Sequence, residues 1–175
     1  MSSARLPPDP FLGFPGRGPL IELIKESLVI DWRGIHGVSH WARVAANGRF
    51  LAERTGADPG VVELFAWLHD SCRLDDGRDP DHGPRAAYWA RELRGTWFAL
   101  DDARFELLVQ ACELHTRGQV EADVTVATCW DADRLDLGRV GTEPDPRYLC
   151  TEPARDPEVI QWALRRSLER SVPGQ

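Results

Sequence analysis

No stretch of this 175-residue chain approaches the roughly 20 consecutive apolar residues that span a bilayer, which excludes a membrane helix. Lysine is nearly missing: Lys25 is the only one, and the rest of the basic set is arginine. With 28 acidic against 21 basic residues the net charge is -7, which argues against a protein that holds nucleic acid through its phosphates, so no stable nucleic-acid complex is expected. The four cysteines, Cys72, Cys112, Cys129 and Cys150, include no C-x-x-C pair. A zinc ribbon and a redox dithiol are thereby excluded, and the cysteines read as buried thiols. Residues 1–17 are proline-rich and lack the continuous apolar core of a signal peptide, so they read as an arm and the protein is expected in the cytoplasm. No fixed-period repeat is present. The length suits one hydrophobic core, which places a single domain at 18–175.

What is present is helical periodicity. Leu20, Ile21, Ile24 and Leu28 predict an amphipathic helix over 19–31. Ser39 can cap a second helix that stops at Gly56 and carries His40, Val44, Gly48 and Leu51 on one face. Asp58 followed by Pro59 is a strong start signal for a third, VVELFAWLHD, which ends in His69-Asp70. The following SCRLDDGRDPDHGPR is rich in Asp, Gly and Pro and reads as a loop, with a short helix after it over 85–94. Asp101 can cap a helix whose stripe runs from Phe105 to His115. Val126, Trp130, Asp133 and Leu137 share a helix face, 141–155 reads as an irregular crossing, and Asp156-Pro157 opens a last helix. The expectation is an all-α bundle of about six or seven helices.

Three of these helices place metal-competent groups on their buried faces: His40, then His69 and Asp70, then Asp133. An inward carboxylate costs roughly several kcal/mol of desolvation unless it is paired or bound to a cation. One ion shared by all four groups accounts for them together. Asp131 or Asp136 takes the place of Asp133 if the helix phase is shifted by a step.

The order H, HD, D in SHWARVA, AWLHD and DADRLD resembles the HD superfamily of metal-dependent phosphohydrolases over residues 34–138. The resemblance implies a compact HD-domain-like helical bundle with His40, His69, Asp70 and Asp133 as metal ligands. It also implies cleavage of phosphate esters of nucleotides or other small phosphorylated metabolites. His82 in DHGPRAA and His115 in CELHTRG resemble the histidines that hold a second metal in some members. One or two divalent transition ions (Mn, Fe, Ni, Co or Zn) are therefore implied, with Asp70 as the catalytic carboxylate that positions the nucleophile. Cations for the developing phosphate charge are sought in Arg73 and Arg134, then Arg78 and Arg85. On a continuous helix His36 would lie beside His40 and support that ligand.

The chain departs from two branches. Nucleotidase-like members carry an acidic residue three positions after the HD aspartate, where this chain has Arg73, and the acidic pair of alarmone-hydrolysing members is missing from SCRL. No named substrate carries over. Two further readings use the same residues: an HD-fold nucleotide-binding or regulatory protein without turnover, and a di-iron HD-type oxygenase. Seven tryptophans leave surface for a homodimer interface.

Overall fold

A computed structural model describes residues 17–169. Among these residues the fold is all-α, with no strand and eight α-helices. They are α1 (Arg17–Ser27), α2 (Val38–Thr55), α3 (Pro59–Leu68), α4 (His82–Leu93), α5 (Asp102–Leu114), α6 (Val124–Arg134), α7 (Glu152–Arg155) and α8 (Pro157–Leu168). The short α7 lies in the stretch read as an irregular crossing, which also holds a single 3₁₀ turn, Pro146–Tyr148. Of the N-terminal arm only Arg17 is described, as the first residue of α1, and the last residues of the expected domain, 170–175, also lie outside the described part. No described helix is long and apolar enough to cross a membrane.

Local chemistry sets most helix starts. Asp58 accepts from the Val61 amide at 2.9 Å with Pro59 next to it, and Asp101 accepts from Arg104 N at 3.0 Å. Asp123 and Asp156 cap α6 and α8 in the same way. Each such cap contributes about 1 kcal/mol. Three expected boundaries differ. The first helix ends at Ser27, whose hydroxyl donates back to the Leu23 carbonyl, and the chain then folds through turns closed by Gly34 N to Asp31 O and Val38 N to Trp32 O. Gly37, not Ser39, flanks α2, and its cap makes no side-chain bond. The fourth helix begins at His82 rather than at 85, because Pro84 falls in the first turn, where its missing N–H has no helical partner to lose.

α2 is the central element, buried without interruption from His40 to Gly48, and it packs on α3 and α6, while α4 packs on α5. A Cβ at Gly48 would collide with Val62, so glycine is what lets α2 and α3 approach this closely. The main core runs through Trp41, Phe65, Trp67, Leu108 and Trp130, and a smaller cluster of Leu51, Leu135, Leu149 and Ile160 seats α8. Of the cysteines, Cys112 and Cys129 are buried, whereas Cys72 and Cys150 are only half-buried.

Candidate metal centre

Five elements end or begin at one point. His40 enters from the first turn of α2, and His69 and Asp70 follow α3. His82 opens α4, His115 closes α5, and Asp133 comes from the last turn of α6. All six groups thus sit in the first or last turn of a helix or directly after it.

The six side chains form two sets that share Asp70. In the first, His40 Nε2 stands 3.1 Å from His69 Nε2, 3.5 Å from Asp70 Oδ2 and 3.4 Å from Asp133 Oδ1. His69 Nε2 is 3.7 Å from each of the same two oxygens. In the second set, the other oxygen of Asp70, Oδ1, is 3.0 Å from His82 Nε2 and 3.7 Å from His115 Nε2, and those two nitrogens are 2.9 Å apart. His40, His69, Asp70, His82 and His115 are buried; Asp133 is the one ligand with appreciable exposure, 18% of its side chain.

Every histidine is oriented from behind. Nδ1 of His69 donates to the Phe65 carbonyl at 3.1 Å, and Nδ1 of His115 to that of Cys112 at 2.7 Å. Nδ1 of His82 donates to the Asp79 carbonyl, and His40 Nδ1 meets Asp136 Oδ2 at 2.7 Å. With an ion in place of the proton that His40 carries without one, these acceptors would keep the proton on Nδ1 and turn each Nε2 lone pair inward. Ligand atoms about 2.0–2.1 Å from one ion stand roughly 3 Å apart, which the 2.9 and 3.1 Å Nε2–Nε2 separations match. The buried His/Asp groups can therefore hold a metal ion, and the donors fit the chemistry of imidazole and carboxylate sites. Neither group includes a cysteine, and burial pushes the Cys112 and Cys129 thiols up.

The charges are arranged to keep ligands available. Burial would push the Asp70 carboxyl up, but His69, His115, His40 and His82 around it hold it well below the usual carboxylate range. Asp133 behaves alike: burial is outweighed chiefly by His40 and His69. Burial drives His69 down to about 3. For His40, burial and Arg139 oppose the charge, yet Asp133, Asp136 and Asp70 carry it up to about 9 in the absence of an ion.

The remaining candidates separate clearly. Arg73 is at the cluster, with Nη1 3.6 Å from Asp70 Oδ1. Arg134, although next to Asp133, donates to the carbonyls of Tyr148 and Gln119, and Arg85 ties Cys72 O to Asp79. Arg78 is exposed on the loop. His36 lies before α2, not on a continuous helix with His40, and meets Asp70 Oδ2 at 3.2 Å. It supports Asp70 rather than His40. Asp131 accepts from the amides of Cys150 and Thr151 and does not face the cluster. Asp136 is the partner of His40 and is clamped by Arg43.

Two contributors were missed in the sequence. Arg43 holds Asp136, and nothing in its helical spacing announces that. Arg139 donates to the Ile35 and Asp136 carbonyls, and its positive field reaches His36, His40 and Asp133. Its one signal is its place in DADRLDLGRVG.

Fold and cluster together define an all-α protein with a buried histidine–carboxylate centre that can hold a metal ion. Compared with protein-family models, curated proteins and solved structures, the chain matches none.

Proposed function

We propose that this chain is a metal-dependent phosphohydrolase that cleaves a phosphate ester of a nucleotide or other small phosphorylated metabolite. The observation that carries the reading is the position of Asp70, whose two oxygens face two different histidine pairs at 3.0–3.7 Å. His40, His69, Asp70 and Asp133 would hold one ion, and Asp70, His82 and His115 would hold the other. The chemistry such ions supply is activation of water near neutral pH and neutralisation of charge on phosphate oxygens.

The protein's own groups supply the rest. Asp133 is the exposed edge of the cluster, which makes it the side from which a substrate arrives. Asp70, held ionised and backed by His36, fixes the direction of attack. Arg73 and Arg139 bring positive charge to the site for the phosphate oxygens. Water adds to phosphorus, the ester P–O bond breaks, and the leaving alcohol takes up a proton.

The test is phosphate release from p-nitrophenyl phosphate and nucleoside monophosphates by protein loaded with Mn, Fe, Co, Ni or Zn. Release is expected in the wild type and its loss to background in Asp70→Ala and His69→Ala. Binding of metal without release from any ester would instead favour a nucleotide-binding protein without turnover. Oxygen uptake with ferrous iron would favour the oxygenase, which the same donor set of four imidazoles and two carboxylates also suits.

A further inference from the structure

The two histidine pairs are not equivalent, and the difference is Arg73. This arginine is 6% exposed and is held along its guanidinium edge: Nε donates to the Asp75 carbonyl at 3.2 Å and Nη2 to that of Gly77 at 2.8 Å. The remaining nitrogen, Nη1, is thereby aimed at the second pair. It lies 3.2 and 3.3 Å from the ring nitrogens of His82 and 3.6 Å from Asp70 Oδ1. An ion held by His82 Nε2, His115 Nε2 and Asp70 Oδ1 would share those partners with a permanent positive charge that its own hydrogen bonds keep from swinging out. Among the described residues no arginine forms an ion pair with Asp133 of the first pair; Arg139, whose field reaches His40 and Asp133, spends its Nε and Nη1 on the Ile35 and Asp136 carbonyls. The first pair also has two carboxylate oxygens against the second pair's one.

We propose that Arg73 stands in for the second ion's charge, so that the protein holds one divalent ion tightly at His40, His69, Asp70 and Asp133 and a second far more weakly at Asp70, His82 and His115. The inference rests on the metal centre of the preceding reading and concerns occupancy, not turnover. Repulsion between a divalent ion and a guanidinium a few ångströms apart in a buried site is expected to separate the two affinities by at least about 100-fold.

The full chain, stripped with chelator, is titrated with Mn²⁺ by calorimetry, and the ions retained after desalting are counted by elemental analysis. Wild type is expected to show one tight and one weak step and to retain one ion. Arg73→Gln is expected to tighten the second step by about 100-fold and retain two ions. Arg73→Lys keeps the charge and is expected to retain one. Adding His115→Ala to Arg73→Gln is expected to return the count to one, which locates the gained ion. Two equally tight steps in wild type overturn the proposal whatever the variants do, including an Arg73→Gln that does not fold. A folded Arg73→Gln that gains no ion also overturns it. Wild type that binds no Mn²⁺ at all overturns the metal centre itself, a separate failure.

Discussion

Asp136 meets Nδ1 of His40 at 2.7 Å across 96 residues of sequence, and the same carboxylate is gripped by Arg43 Nε at 2.6 Å and Ser167 Oγ at 2.7 Å. The aspartate is thus fixed from α2 and α8 together, and His40 is fixed by it with Nε2 toward the ion. Asp136→Asn keeps the volume and loses the charge that orients the imidazole. Its tight Mn²⁺ affinity is expected to fall by about 10–100-fold with an unchanged far-UV circular dichroism spectrum. Wild-type affinity would show that Asp136 does not position His40.

Asp131 and Asp133 lie two residues apart and do different work. Asp131 accepts from Cys150 N at 2.7 Å, Thr151 N at 2.8 Å and Thr151 Oγ1 at 2.7 Å, tying the chain ahead of α7 to α6. Asp131→Ala leaves part-buried donors unpaired and is expected to cost about 1–3 kcal/mol in urea unfolding with the Mn²⁺ count unchanged. Asp133→Ala is expected instead to lose the tight ion and, in the metal-free protein, to lower the pH at which His40 gives up its proton.

The second histidine pair depends on a glycine. A Cβ at Gly83 would stand 2.6 Å from the Cys112 carbonyl oxygen and 3.2 Å from His115 Nδ1, so α4 and α5 approach through it. Gly83→Ala has to push the helices apart just where His82 and His115 are 2.9 Å from each other. The weak Mn²⁺ step is expected to disappear while the tight one stays, with a loss of roughly 1–3 kcal/mol of stability. Retention of both steps would separate helix spacing from ion binding.

Without metal, pH acts on the histidines in opposite directions. Burial holds His69 at about 3 and His36 at about 4, against about 6.5 in the unfolded chain. Below 6.5 the unfolded chain therefore takes up more protons, and stability falls as pH drops through that window. His40, raised to about 9 by its carboxylate neighbours against burial and Arg139, contributes fully below 6.5 and loses that contribution by about 9. The melting temperature of chelated protein is expected to peak near pH 6.5. Saturating Mn²⁺ competes with the His40 proton and is expected to remove the alkaline decline. A melting temperature that rises steadily from pH 5 to 9 without metal would contradict these assignments.

Where structure is dictated by adjacent residues, the sequence was readable. Asp58-Pro59, Asp101 and Asp156-Pro157 mark helix starts because capping is settled within three residues, and the apolar stripes then give an all-α fold. The six cluster residues are all named by helix phase and the family resemblance, but their supports are only partly legible. His36 reads as a support of His40 only if one helix carries both, whereas turns through Gly34 and Gly37 bring it to Asp70, and periodicity cannot show where a turn aims a side chain. Arg134 was favoured for standing next to Asp133, yet successive helical residues point about 100° apart, and its guanidinium serves Tyr148 and Gln119 instead. Arg43 and Asp136 meet across 93 residues, a pairing that only the packing of α2 against the end of α6 creates.

The uneven exposure of the ligands sets an order of events. With five of the six side chains buried and Asp133 the most exposed of them, the proposed ion and an anionic ligand would both approach on Asp133's side. Whatever enters last must leave first. An anion seated at Asp133's side would act as a stopper, so transfer of Mn²⁺ from the protein to an external chelator is expected to slow in the presence of inorganic phosphate.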